Sequence, residues 1–181
     1  DLDAMLNAID SSTSLVCICN PNNPTGLALD TYNLKEFIRA VPNDIPVLID
    51  EAYIEFTDDP ENTSMLHMPH EGQNVLIART FSKIYGMAGQ RIGYGLGLPD
   101  SINSIWKYTT GMLNTAGIAM AYHALQDIDY IEKCRNNIIL SRNNTIDTFT
   151  SMGCKPLNSQ TNFVYCDIGV DALDFKNNKR A

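Results

Sequence analysis

Asn74-Val75-Leu76-Ile77-Ala78-Arg79-Thr80-Phe81-Ser82-Lys83 is an apolar run that gives way to a small polar turn ending on a lysine. Branched and aliphatic residues bounded by turn formers predict a buried strand over 74–78 that leads into a Thr80–Lys83 turn. Two runs upstream repeat the pattern. Leu15-Val16-Cys17-Ile18-Cys19 leads into Asn20-Pro21-Asn22-Asn23-Pro24-Thr25-Gly26, and Ile45-Pro46-Val47-Leu48-Ile49 leads into Asp50. Between these two, Asp30 is placed as a helix N-cap, with Leu29 and Leu34 spaced for a hydrophobic staple. Leu34, Phe37, Ile38 and Val41 form one apolar face that stops before Pro42. Strands alternating with helices predict an α/β fold, three layers (α/β/α) around a mostly parallel sheet.

Downstream, Arg91 to Gly97 is expected as a fourth strand, with Gly93, Gly95 and Gly97 on one bare face that another backbone or a ligand can approach. These glycines do not open a helix after a strand, so they are not a dinucleotide fingerprint. Helical patterns follow over 101–112, 116–127 and 129–152, the last striped by Ile131, Cys134, Ile138 and Ile139. Thr161 to Ile168 reads as a strand opening a small α+β domain. The expected organisation is therefore 1–127 as part of a large domain, 128–152 as a linking helix and 153–181 as the start of the small one. Leu2, Met5, Leu6 and Ile9 already stand at helical spacing behind Asp1. The chain is accordingly expected to be an internal piece of a longer polypeptide.

The 181 residues are 44% hydrophobic and 19% charged, an ordinary globular composition. A formal net charge of -8 argues against nonspecific nucleic-acid binding, while leaving room for a small anion held by local cations. No apolar run is long enough to span a bilayer. Cys17, Cys19, Cys134, Cys154 and Cys166 are odd in number and sit mostly in apolar runs, as expected of buried thiols in a reducing cytoplasm. No second Cys/His pair accompanies Cys17 and Cys19, so no metal site is expected. His67 and His70 flank Pro69 and are expected as exposed loop residues, and Glu55–Glu61 as a solvated acidic turn.

The polar residues beyond the predicted strands carry the chemistry. Asp50 ends a strand, where ligands of open α/β sheets bind; it is either an Asx turn or an anion for a protonated pyridine nitrogen. Lys83 offers an amine for a Schiff base, provided desolvation or nearby cations (Arg79 and Arg91 flank it in sequence) free that amine. Arg91 matches a phosphate dianion, to which the Thr80 and Ser82 hydroxyls can add hydrogen bonds. Tyr53 and Asn23 can both donate toward a phenolic oxygen. These are the needs of pyridoxal 5'-phosphate.

Asn22-Asn23-Pro24-Thr25-Gly26, Asp50-Glu51-Ala52-Tyr53, and Ser82-Lys83 with Arg91 resemble the fold-type-I pyridoxal-phosphate-dependent aminotransferases of class I/II. The longer strings Cys19–Gly26, Asp50–Phe56 and Arg79–Lys83 most resemble the histidinol-phosphate branch of that family. The resemblance implies a Schiff base on Lys83, which also moves the proton at Cα, and a pyridinium held by Asp50. It further implies a phenolic oxygen met by Asn23 and Tyr53, and a phosphate bound by Thr80, Ser82 and Arg91. The implied reaction is amino transfer between L-histidinol phosphate and 2-oxoglutarate, in a cytoplasmic homodimer. Threonine-phosphate decarboxylases and some aromatic aminotransferases carry similar strings, and a noncatalytic pyridoxal-phosphate-sensing regulator domain is a further alternative. Family members are longer and complete the site with groups on both sides of this segment, so the chain alone is expected to be catalytically incompetent.

Overall fold

Val16 lies opposite Val47, and Val47 opposite Val75, in two parallel ladders that build the sheet. The computed structural model describes residues 1–109, 111–171, 173, 174 and 176. Thr110 and most of the expected small-domain tail beyond 171 lie outside the described residues. Strands β1 (Val16–Cys19), β2 (Val47–Asp50) and β3 (Val75–Thr80) run parallel in that spatial order, and β4 (Gly93–Gly97) closes the edge antiparallel to β3. Alternate residues Val16, Ile18, Val47, Ile49, Val75 and Ile77 point into one core. That core also takes Leu34, Phe37 and Ile38 of helix α2 (Thr31–Ala40), together with Met65 and Met68. Each such side chain contributes about 1.5–3 kcal/mol when fully buried. Leu2 and Leu6 of α1 (Leu2–Asn7) pack against the same cluster.

Asp30 caps α2 by accepting from the Asn33 amide at 2.9 Å. Val41 is already extended, at φ −68° and ψ 133°, because Pro42 disfavours helical geometry in the residue before it. Cysteine burial departs from expectation. Strand alternation that buries Val16 and Ile18 turns Cys17 to the opposite face, where it is exposed, and the other four thiols are half-buried. The fourth strand begins at Gly93 rather than Arg91, because Arg91 is left-handed (φ 53°) and cannot extend it. The bare glycine face is approached by protein at two of its three positions: a Cβ on Gly93 would lie 2.7 Å from the Arg79 carbonyl oxygen, and one on Gly97 would lie 2.8 Å from Leu76 Cδ2.

Three helices follow: α4 (Pro99–Trp106), α5 (Thr115–Ala124) and α6 (Ile128–Ser151), after the single turn α3 (Pro60–Thr63) earlier in the chain. Helix α4 starts two residues before the expected position, with Pro99 in its first turn, and ends six residues early. Asn114 and Asp127 cap α5 and α6 through their side chains. The strand expected over 161–168 shrinks to β6 (Cys166–Asp167), paired antiparallel with β5 (Lys155–Pro156). Local hydroxyls explain this. Ser159 and Thr161 both donate to the Phe163 carbonyl, at 2.6 and 3.1 Å, and curl the chain away from a ladder.

The acidic turn is not solvated as a whole. Ile54, Phe56 and Thr57 are buried, Asp59 caps α3, and Glu55 turns its carboxyl inward. His67 also departs from expectation. It precedes a 3₁₀ turn (Met68–Glu71), and its buried Nε2 has no hydrogen-bond partner among the described residues. Burial first, and Lys35 second, hold its pKa below the usual histidine value.

Candidate functional site

Parallel strands end on the same edge of a sheet, so the three polar segments that follow β1, β2 and β3 are brought together by topology alone. After β1, the Asn20–Leu27 loop is closed by two backbone bonds: the Asn22 amide donates to the Leu27 carbonyl at 2.8 Å, and the Gly26 amide to the Asn22 carbonyl at 2.7 Å. Asn20 is buried and accepts from the Leu29 amide at 2.8 Å, which anchors the loop to the start of α2. Held this way, the exposed Asn23 side chain donates Nδ2–H to the Tyr53 hydroxyl oxygen at 3.3 Å.

Tyr53 is a buried ring with an available tip. Phe163 meets it edge-on, with centroids 5.2 Å apart at 87°, and Phe56 lies 6.5 Å away. Ile84 and the α6 residues Ile131, Cys134 and Ile138 complete the cluster. The Lys83 ammonium stands 4.8 Å from the centroid of the same ring. A cation over an aromatic face gains about 0.5–1 kcal/mol at an exposed site. Lys83 is exposed, so burial of the amine, one of the two conditions set for it by the sequence, is not met.

Nor does Arg79 approach as a cation neighbour. It turns to the buried Glu51 carboxylate, with Nη2–Oε2 at 2.8 Å and Nε–Oε2 at 3.0 Å, and donates to Ser64 as well. Ser64 and the Met65 amide donate to the same carboxylate, so Glu51 (0% exposed) is fully satisfied. Sequence reading missed this pair, since an alternating strand end leaves the direction of Arg79 open. It also missed Glu55, whose pKa burial pushes up to about 7 against the opposing pull of Arg79.

Asp50 is exposed at the end of β2, and its Oδ1 accepts from the Ala52 amide at 2.9 Å. It is thus an Asx turn, and its other oxygen accepts no hydrogen bond among the described residues. Ser82 and Arg91 meet: Arg91 Nη1 donates to Ser82 Oγ at 3.2 Å and to the Ala88 carbonyl at 3.0 Å. Thr80 Oγ1 accepts from the Ser82 amide at 3.0 Å and so shapes the turn that presents Ser82. Arg91 is the one non-glycine residue with positive φ among the described residues (53°), a conformation that costs on the order of 1–3 kcal/mol and clusters at ligand sites.

This donor set fits a phosphorylated pyridine aldehyde. Tyr53 accepts from Asn23, which leaves the phenol hydrogen and the second amide hydrogen of Asn23 to meet one oxyanion. Among the described residues Arg91 spends only Nη1, so Nε and Nη2 remain for a phosphate. The free oxygen of Asp50 suits a protonated ring nitrogen.

The family model described as "Aminotransferase class I and II" matches residues 1–176. The chain belongs to this family. Among similar aminotransferases, a histidinol-phosphate aminotransferase of Brevibacillus brevis is 39% identical over 176 residues, covering 95% of this chain and 48% of that protein. An aromatic amino acid aminotransferase of Mycolicibacterium smegmatis is 37% identical over 176 residues, covering 97% and 49%. The crystal structure of histidinol-phosphate aminotransferase from Sinorhizobium meliloti in complex with pyridoxal-5'-phosphate superposes with a TM-score of 0.82 at 36% identity, over 96% of this chain and 47% of that one. Its likeness carries the α/β fold expected of an aminotransferase. The chain spans about half the length of the curated relatives it matches.

Proposed function

We propose that the polypeptide carrying this chain is a pyridoxal-phosphate-dependent aminotransferase that moves the amino group of L-histidinol phosphate to 2-oxoglutarate, yielding imidazole acetol phosphate and L-glutamate. The observation that carries the reading is the Lys83 amine standing over Tyr53, whose hydroxyl is paired with Asn23, on the sheet edge where β2 ends in Asp50. Bound there, the cofactor supplies an electron-withdrawing ring and an aldehyde carbon. Asp50 keeps the ring nitrogen protonated by favouring its cation. Asn23 and Tyr53 orient the ring through its phenolic oxygen, while Arg91, Ser82 and Thr80 fix its phosphate. Lys83 would hold the cofactor at its aldehyde carbon, and its amine is the group that would move the substrate proton at Cα.

Histidinol phosphate is favoured by the names of relatives such as the Brevibacillus brevis protein. An aromatic amino acid donor is the second reading, on the Mycolicibacterium smegmatis relative at nearly the same identity. The expected assembly is a cytoplasmic homodimer, with residues 1–127, 128–152 and 153–181 as large-domain part, linking helix and small-domain start. Among the described residues no helix is long and apolar enough to cross a membrane.

The test is full-length protein mixed with pyridoxal phosphate, followed by visible absorbance and by product analysis with each donor and 2-oxoglutarate. A visible band that disappears in Lys83→Ala, with glutamate formed fastest from histidinol phosphate, is the expected result. A band that survives Lys83→Ala means that the Schiff base forms elsewhere and overturns the assignment of Lys83. Faster turnover of phenylalanine or tyrosine moves the substrate to the second reading.

A further inference from the structure

Four segments far apart in sequence meet directly behind the Asn23–Tyr53 pair. Arg142, in the middle of α6, is 4% exposed. Its Nη2 reaches Asp58 Oδ1 at 2.6 Å and its Nη1 donates to the Phe56 carbonyl at 3.0 Å. Asp58 and Gln160 then bind each other reciprocally: Gln160 Nε2 donates to Asp58 Oδ2 and the Asp58 amide to Gln160 Oε1, both at 2.9 Å. The Gln160 amide in turn donates to the Gly26 carbonyl at 2.7 Å. Gly26 (φ 75°) is pressed so closely on Ser159 that a Cβ there would lie 2.8 Å from Ser159 Cβ.

Two ends of this chain of contacts touch the proposed site. Gly26 closes the loop that carries Asn23, and Phe56 is three residues from Tyr53 in the turn the phenol springs from. We infer that Arg142, Asp58 and Gln160 form a clasp that positions Asn23 and Tyr53 as donors to the phenolic oxygen of the cofactor, tying their orientation to α6. The inference rests on the aminotransferase reading and adds to it three residues that touch neither cofactor nor substrate. A charged guanidinium buried between two chain segments has one low-energy arrangement, so it fixes their separation more firmly than apolar packing would. The reciprocal Asp58–Gln160 pair transmits that separation to the Asn23 loop.

The experiment uses full-length protein loaded with pyridoxal phosphate and the variants Asp58→Asn and Gln160→Ala. Asp58 is 62% exposed at the side chain and Gln160 is half-buried, so both variants are milder than Arg142→Ala, which would strand a buried carbonyl. Three quantities are read: the dissociation constant for the cofactor, the pH midpoint of its visible band, and the melting temperature of the apo form. Donors to an oxyanion favour its proton-poor state, so displacing them moves the midpoint to higher pH. The expected result is a rise in midpoint and a cofactor dissociation constant larger by roughly 2- to 10-fold, the worth of one ordinary hydrogen bond. A lowered melting temperature with an unchanged midpoint assigns the clasp to stability alone and overturns the inference, as does wild-type behaviour throughout. Loss of the aminotransferase reading looks different. Wild-type protein then shows no lysine-dependent band, and Lys83→Ala, run in parallel, reports it.

Discussion

Glu55 carries a carboxyl whose Oε1 is shut away from water without a hydrogen-bond partner among the described residues. Burial raises its pKa from 4.5 to about 7. Because the folded value lies above the unfolded one, the folded state binds the proton more tightly. Its stabilising effect is complete below about pH 4.5 and is lost as pH rises through 7. Glu55→Gln keeps the shape and removes the charge, so it is expected to stabilise the fold at pH 8 by up to about 3 kcal/mol, with no gain at pH 4. Denaturant unfolding at the two pH values checks this, and an equal gain at both would remove the buried charge as its cause. Arg91 poses the opposite trade. At φ 53° a glycine is the relaxed residue, so Arg91→Gly is expected to leave the melting temperature unchanged or raised. The same variant loses the phosphate-binding fork and is expected to bind pyridoxal phosphate at least about tenfold more weakly, a loss of ~1.4 kcal/mol. A titration of cofactor absorbance beside a thermal melt separates the two effects.

Elements carry the fold through a few buried polar devices as well as through apolar faces. The Glu51–Arg79 ion pair joins the end of β2 to β3 and, through Ser64, to the turn before Met65. Glu51→Ala leaves Arg79 uncompensated in a half-buried place and is expected to cost about 3–5 kcal/mol, the range for breaking a buried pair from one side. Asp30→Ala, which removes only the N-cap of α2, is expected to cost about 1 kcal/mol. Urea midpoints of the two variants rank them, and equal losses would mean that the ion pair is not a structural joint. These two sites also mark what was legible in the sequence. Asp30 was readable because a cap is local: the acceptor and the Asn33 amide are three residues apart. The parallel strands themselves were readable from their apolar runs, as were the positions of Asn23, Asp50, Tyr53 and Lys83 at or beyond the ends of those strands. Glu51–Arg79 was not, since a pairing across 28 positions depends on which face each strand end turns inward. The strand expected near residue 161 failed for a local reason, the hydroxyls of Ser159 and Thr161 bonding to the Phe163 carbonyl in place of a neighbouring strand.

At the scale of the whole molecule, the accessible surface is 11444 Å² for a mass of 20.1 kDa. A compact monomer of that mass would expose about 8,700 Å² by the general scaling of area with mass. Most of the exposed large apolar side chains lie after β4. Ile105, Trp106, Tyr108, Met112 and Leu113 are exposed, as are Ile118, Met120 and Tyr122 along α5. Soluble monomers rarely leave so many large apolar side chains in water, and apolar surface of this kind is commonly covered by other protein. On the homodimer reading, the exposed apolar surface around Trp106 is covered in the assembled full-length protein. Trp106 is the sole tryptophan of these 181 residues and is 65% exposed, so it reports on that covering once any tryptophan outside them has been replaced by phenylalanine. Its emission in the isolated 181-residue chain is expected to resemble that of indole in water and to be readily quenched by iodide. In the full-length protein the emission is expected at shorter wavelength with weaker quenching, and dilution below the dimer dissociation constant should reverse part of the change. Emission that stays water-like and concentration-independent in the full-length protein would leave this surface uncovered and place the dimer contact elsewhere.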